Sequence, residues 1–421
     1  MKRLYVFSPI PYFFLHQRPQ KITEQFRARG IPVTYIEPSG WREYLQRQRS
    51  GLIPAVVEFL WYYLGGLWHL FFPLRESVNP TTQGKRSYGV PDRVVLPLLV
   101  PHNRFNSPLL EKINASVYRQ YLRSRVLSRR SGEEVSVAIV NNPFLGRVLG
   151  KNAFSAIYYD CIDELSVYAG AASRQRFQSY ERILAGMSRA SFVTSQTLEE
   201  DLADRYPGLP RIRVPNGVDA DWFQKRAAEA GPPQDIRGIR GPRIGYIGAL
   251  YPWIDTELLE ELADALPDVA LVLIGPSDER ERLRRLRSHS NIHCLGVKPY
   301  VDVPLYVASC DVCLIPFRTG PISRTTNPVK LYEYFALGKP VVSTPLSELE
   351  RYAASGLVII GNDLSEFVAG VRRALNELDA SLCARRMEVA RQHSWEQHAQ
   401  RMLDVIGGEE SSPTSTFHRS P

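Results

Sequence analysis

Six short apolar runs, spaced through the second half of the chain, constrain its fold more than any other feature. They are RIGYIGAL, VALVLIGP, NIHCLGV, VCLIPF, PVVST and LVIIG. Runs of this length, rich in β-branched residues and bounded by glycine or proline, are strands buried on both faces. Between them lie helical patterns such as DTELLEELADALPD and DERERLRRLRSH. Strands covered on both faces and joined by helices predict a parallel, doubly wound α/β domain over 242–385.

The first half repeats the theme less cleanly. RLYVFSPI, IPVTYIEP, VSVAIVNNP, AFSAIYYDC and ASFVTSQ read as strands. PQKITEQFRARG reads as a helix with proline near its start and Gly30 after its end. The 421 residues are enough for two or three domains with real cores. The expected organisation is an N-terminal Rossmann-like domain over 1–223 and a polar linker over 224–241. The second Rossmann-like domain follows at 242–385, then closing helices at 386–406 and a disordered tail at 407–421. The N-terminus imitates a signal peptide. Two prolines interrupt its apolar run and no small-residue cleavage site follows, so a first strand is the better reading.

One segment breaks the pattern. LIPAVVEFLWYYLGGLWHLFFPL (52–74) carries a single formal charge, Glu58. Its length could span a bilayer, but Pro54, Gly65 and Gly66 interrupt it. Trp61, Trp68 and the arginines 42, 47 and 49 upstream suit an in-plane contact with anionic lipid. A buried or acceptor-groove helix is the competing reading.

Formal charge is +8, which favours anionic partners. Nucleic acid is not expected, because no basic–aromatic stripe is present. Five cysteines in no scaffold spacing point to a reducing compartment. Cys310 and Cys313 form a C-x-x-C without a second pair nearby, which reads as chance placement at a helix-to-strand junction.

The segment NPVKLYEYFALGKPVVST (327–344) carries the most chemistry. Asn327 suits an N-cap, Pro328 the first helical position, and Gly338 the left-handed residue that closes the helix. Lys330 and Glu333 fall three apart, on one side of a short helix. The preceding loop, RTGPISRTT, is polar and basic. A helix N-terminus facing such a loop is an anion site. A carboxylate one turn deeper could grip sugar hydroxyls, so phosphate and sugar together suggest a nucleotide-sugar site.

Two Rossmann-like halves, the junction VPNGVDADWF and the 327–344 helix–strand together resemble glycosyltransferases of the GT-B fold. The chain is most similar to the retaining group that includes family 4, and within it to envelope-polysaccharide enzymes of the teichuronic-acid type. The resemblance implies two doubly wound domains facing a cleft. It implies a hexosyl transfer from a nucleotide diphosphate sugar to a cell-envelope glycan or lipid-linked acceptor, with retention and without a metal or other cofactor. It places Glu333 on the ribose hydroxyls, the backbone of Ser323, Arg324, Thr325, Thr326 and Asn327 at the diphosphate, Lys330 beside it, and Gly248 where the chain passes close to the phosphates. The expected place is cytoplasmic, peripheral at the inner face of the plasma membrane.

There are departures from the family pattern. The second glutamate of many relatives, eight positions before Glu333, is Thr325 here. The basic pair after the first C-domain strand is replaced by YPWID, with Asp255. Arg324, Lys330 or Arg318 would have to supply the phosphate cations. A metal-dependent mechanism would use an Asp-x-Asp pair, and Asp219–Asp221 reads instead as a turn and helix cap. In the first half, Asp160 ends a strand, with Asp163 and Glu164 just after it. Strand ends are where open α/β sheets bind ligands, so Asp160 could orient an acceptor hydroxyl or act as a base. His16, Gln17 and Arg18 stand at the mouth of the first helix, where Arg18 could meet phosphate. Glu181 reads as a helix-face residue. Two other functions fit less well: a non-hydrolysing sugar-nucleotide epimerase, and a GT-B-like binding subunit that has lost catalysis.

Overall fold

The computed structural model describes residues 2–9, 12, 17–38, 91–96, 108–129, 135–164, 171–277 and 279–408. The 52–74 segment and His16 lie outside these residues. The first sheet holds β1 (Lys2–Phe7), β2 (Val33–Pro38), β3 (Asp92–Leu96), β4 (Val135–Val140), β5 (Ala156–Cys161), β6 (Ala190–Val193) and β7 (Arg211–Arg213). Its order is β3-β2-β1-β4-β5-β6-β7, with every pair parallel. The second sheet holds β8 (Arg243–Ile247), β9 (Ala270–Ile274), β10 (Ile292–Gly296), β11 (Val312–Ile315), β12 (Val341–Ser343) and β13 (Val358–Ile360). Its order is β10-β9-β8-β11-β12-β13, again all parallel. Each sheet starts in its middle, runs to one edge, then returns and runs to the other. The connections reverse between β1 and β4 and between β8 and β11. A crevice opens at the carboxyl ends of such strand pairs.

The main helices are α1 (Arg18–Ala28), α2 (Pro108–Arg125), α3 (Ala171–Met187), α4 (Gln196–Arg205), α5 (Ala220–Glu229), α6 (Thr256–Ala265), α7 (Val329–Ala336), α8 (Ala380–Gln392) and α9 (Trp395–Gly407). α2 and α3 cover one face of the first sheet, where Tyr118, Leu122, Tyr180 and Leu184 pack with Phe7 and Val140. α1 and α9 cover the other, where Phe26, Trp395 and Met402 pack with Leu4 and Ile139. The chain's last long helix therefore returns to the N-terminal domain.

Several sequence expectations need correction. β3 and α2 were not foreseen. The interdomain crossing is at 214–218 rather than 224–241. Phe223 of α5, with Ile236 and Ile239, is buried in the C-terminal core, so the supposed linker belongs to that domain. The closing helices also divide: α8 packs against α7, whereas α9 packs against α1.

The two crossings run side by side. Val218 N–H donates to His393 O at 3.0 Å, and Trp395 N–H donates to Val218 O at 3.4 Å. This close approach explains the glycine of PNGVD. A Cβ on Gly217 would stand 2.4 Å from His393 O.

Cys310 and Cys313 are buried in the C-terminal core. A Cβ on Gly245 would meet the Cys310 sulfur at 2.3 Å, and burial pushes that thiol up to about 12. Both cysteines fill space in the core. Among the described residues, no helix is long and apolar enough to cross a membrane.

Candidate active site

The crevice between β8 and β11 is built from backbone that leaves no room for side chains. Gly248 follows β8 and Gly275 follows β9. Gly248 N–H donates to Ile274 O at 2.8 Å. A Cβ on Gly275, whose φ is +144°, would lie 1.9 Å from Gly248 O. A Cβ on Gly248 would lie 2.5 Å from the Tyr246 hydroxyl and 3.3 Å from Lys330 Cε. Glycine at 248 thus lets the Lys330 side chain lie across the end of β8.

Glu333 sits below that lysine. Its side chain is 2% exposed. One carboxylate oxygen accepts from Lys330 Nζ at 2.8 Å, and the other accepts from the Tyr300 hydroxyl at 3.1 Å. Tyr246 lies close by, its hydroxyl pushed up by burial first and by the Glu333 charge second. Spacing put Lys330 and Glu333 on one side of α7. It did not show that they pair with each other, nor that Tyr300, 33 residues upstream, completes the site.

Tyr300 is itself fixed from both domains. Its ring stacks on Trp222 of α5 at 5.7 Å between centroids, with 5° between planes. Lys21 of α1 lies over the same ring at 4.1 Å. A useful sequence clue would have been the polar turn GVKPY directly after β10, at a strand's carboxyl end.

The segment before α7 differs from expectation. Residues 321–325 form one helical turn rather than an open loop. Ser323 is buried, and its hydroxyl accepts from Gly320 N–H and donates to Gly320 O. Thr325 is buried and Thr326 half-buried, while Arg324 is exposed. Pro328 is extended at ψ 119° and stands before the helix, not in its first turn. Gly338 does adopt the left-handed conformation, at φ +65°.

Asn327 does not cap the helix. Its Oδ1 accepts from Asn216 N–H at 3.0 Å, and its Nδ2 donates to the Tyr332 hydroxyl at 3.0 Å and to Glu348 at 3.3 Å. Its carbonyl accepts from Asn216 Nδ2 at 2.7 Å. Glu348 in turn accepts from Gln196 N–H at 2.6 Å, at the positive N-terminus of α4. Asn327 is therefore a joint between the domains, with its polar atoms already engaged.

Arg318 is similarly committed. It pairs with Glu257 and approaches Asp255 at 3.8 Å, at the start of α6. Asp219 accepts from Trp222 N–H at 3.3 Å and caps α5, as a turn-and-cap reading expects. Of the candidate phosphate cations, Lys330 lies against the glycine-lined crevice, and Arg324 is exposed on the helical turn before α7.

The N-terminal strand end is a different kind of place. Asp160 is buried and grips Arg18 through both carboxylate oxygens, with Nε at 3.1 Å from each and Nη2 at 2.9 Å from one. Asn141 Nδ2 donates to it at 2.7 Å. Arg18 also donates to Val214 O at 2.8 Å and Pro215 O at 3.0 Å. The pair ties β5 and α1 to the interdomain crossing. This corrects both expectations: Arg18 has no fork left for phosphate, and Asp160 is held as a structural counter-ion rather than poised as a base. Glu181 does lie on a helix face, the buried face of α3, where it is a hub that accepts from the Tyr159 hydroxyl at 2.9 Å, from Arg205, and from the Tyr206 hydroxyl at 3.0 Å. Asp163 lies next to this network, and burial pushes its carboxyl up to about 7.

Comparison with known proteins agrees with this fold. Residues 241–377 match the family model for glycosyl transferases group 1. The chain is 27% identical over 258 residues to the teichuronic acid biosynthesis glycosyltransferase TuaH of Bacillus subtilis (strain 168). That alignment covers 58% of this chain and 64% of the relative. The fold is similar to that of WaaG, a glycosyltransferase involved in lipopolysaccharide biosynthesis, at TM-score 0.62 and 15% identity over 97% of this chain and 100% of the other. It is also similar to Anabaena HepE in complex with UDP and glucose, at TM-score 0.59 and 14% identity over 96% and 99%. These likenesses establish the fold as GT-B.

Proposed function

We infer that this GT-B protein, whose C-terminal domain is of the group 1 glycosyltransferase type, transfers a hexosyl group from a nucleotide diphosphate sugar to a cell-envelope glycan or lipid-linked acceptor. The observation that carries this reading is the buried Glu333, held between Lys330 and Tyr300 where the β8–β11 crevice opens. A carboxylate out of water is costly to bury unless it is paired, and Glu333 has a hydrogen-bonded partner on each oxygen. Here one of the two partners is a half-buried lysine on a flexible stem, which a ligand could displace. Ribose hydroxyls would take Lys330's place on Glu333 and free the ammonium for the diphosphate. A structural neighbour, HepE, is itself described in complex with UDP.

The chemistry asked of these residues is leaving-group stabilisation. The bond from the anomeric carbon to the diphosphate oxygen breaks, and its electron pair stays on the nucleoside diphosphate. The acceptor hydroxyl bonds to the same carbon and gives up its proton. Negative charge grows on the diphosphate as this proceeds. Preorganised cations in a water-poor cleft stabilise that charge more in the transition state than in the ground state. Lys330 and Arg324 fill this role in our reading, without a metal and with retention at the anomeric carbon. Asp160 has no part in it. The test is transfer from a panel of nucleotide sugars to a membrane lipid extract, with chelator added. Product that needs manganese after chelation would contradict the metal-independent scheme, and no product from any donor would contradict the activity.

A further inference from the structure

The first turn of α1 is charged against its own helix. It carries no acidic residue, and Arg18 and Lys21 place two cations at the positive end of the helix dipole. Both are buried, Lys21 to 3% exposure. Taking a cation out of water is costly unless something compensates for it. Asp160 compensates Arg18. The Lys21 ammonium meets aromatic faces of the other domain, 4.1 Å from the Tyr300 centroid and 5.9 Å from that of Trp222.

Tyr300 is the residue on which these contacts act. Its hydroxyl donates to one oxygen of Glu333 at 3.1 Å. Its turn is anchored from α5, where Arg226 donates to Val301 O and to Asp302 Oδ1, both at 3.2 Å. Its ring stacks on Trp222 and meets Phe223 edge-on, at 6.1 Å between centroids and 70° between planes. Trp222, Phe223 and Arg226 belong to the same domain as Glu333. Lys21 comes from the other one. The joint at Asn327 also crosses between the domains, but it bonds Asn216, Tyr332 and Glu348 rather than Glu333.

We propose that Lys21 is a positioning residue of the nucleotide site: acting through Tyr300, it sets the hydroxyl on Glu333, so that the site is complete only while the two domains touch. A cation over the ring face fixes the ring plane, and with it the direction of the O–H bond. Its field also draws electron density from the phenol, which strengthens the hydroxyl as a donor where water is sparse. One oxygen of Glu333 is thereby held. The other, paired with Lys330, is left to exchange partners with ribose hydroxyls. A nucleotide that uses this geometry binds the closed arrangement better and so favours it. The inference rests on the donor site proposed above; the contact of Lys21 with Tyr300 does not.

Calorimetric titration of UDP and GDP into wild type, Lys21→Met, Lys21→Arg, Tyr300→Phe and the double variant Lys21→Met with Tyr300→Phe tests the proposal. Methionine keeps an unbranched chain and removes the charge. Lys21→Met should bind the preferred nucleotide about tenfold more weakly. Its urea midpoint should stay at or above that of wild type, because an apolar side chain among rings carries no cost of burying charge. Lys21→Arg should recover most of the affinity, since a guanidinium also stacks on aromatic faces. In the Tyr300→Phe background, Lys21→Met should have no further effect. Amide hydrogen exchange of the unliganded proteins gives a reading that needs no nucleotide. Asp302 N–H, which donates to Pro299 O at 2.9 Å, should exchange faster in Lys21→Met, while β10 should not change. Unchanged affinity in Lys21→Met, an equal loss in the Tyr300→Phe background, or a midpoint that falls along with affinity overturns the proposal. A wild type that binds neither nucleotide counts against the activity proposed above, and unchanged exchange at Asp302 then overturns the positioning role by itself.

Discussion

The two domains share one strand order over six strands and yet hold a buried carboxylate in opposite ways. In the N-terminal sheet, the carboxylate at a strand's end, Asp160, is locked to Arg18, with both side chains no more than 3% exposed. In the C-terminal sheet, the carboxylate beside the switch-point crevice, Glu333, is equally buried but held by Lys330, which is 25% exposed. A guanidinium fork bound to both oxygens of one carboxylate and to two backbone carbonyls has nowhere else to go. An ammonium on a four-carbon stem, beside a glycine that leaves it space, can exchange partners. The fold supplies a crevice in each domain, and in our reading the carboxylate with the exchangeable partner marks the one that takes the ligand.

The comparison breaks most visibly at Arg18. Arg18→Ala leaves Asp160 buried without its counter-ion, a loss of about 3–5 kcal/mol. Urea unfolding should show a correspondingly lower midpoint. If Arg18 were a phosphate ligand, the variant would keep its stability and lose nucleotide affinity.

The interdomain joint should make stability pH-dependent. Burial pushes His393 down to about 3 and His398 well below its usual value. Both stay neutral in the folded protein, while the unfolded chain takes up protons below about 6.5. Stability is thus full above that pH and is lost as pH falls toward 3. For His393 alone the loss is about 2 kcal/mol at about pH 5. His393→Gln should shrink the difference between urea midpoints at neutral and acidic pH, and an unchanged difference would show that the ring already titrates normally.

Lys330→Ala sharpens the contrast from the other side. Its position is reached by solvent, so water can enter beside Glu333 when the lysine is removed, and the loss of stability should be smaller than that of Arg18→Ala. Turnover should fall far more than folding stability does. A loss of stability as large as that of Arg18→Ala would place Lys330 among the structural pairs.

The sequence made the C-terminal crevice legible because its parts are local. Gly248, Lys330, Glu333 and Gly338 lie in short motifs whose spacing is set by one strand end and one short helix. What it concealed was long-range. Arg18 and Asp160 are 142 positions apart, and Tyr300 reaches Glu333 from the far side of β10. Asn327 looked like a helix cap because cap chemistry is local, but its amide meets Asn216 from the other domain. β3 was missed because it is a five-residue edge strand with little pattern to read.

The central claim is that Glu333 belongs to the ligand and not to the fold, and calorimetric titration of UDP and GDP into wild type and Glu333→Ala tests it directly. Loss of a charge-assisted hydrogen-bonding partner is worth about 1.5–3 kcal/mol, so the variant should bind the preferred nucleotide about ten- to a hundredfold more weakly while unfolding at a similar urea concentration. Unchanged nucleotide affinity in the variant, or a collapse of its stability like that of Arg18→Ala, would contradict the account.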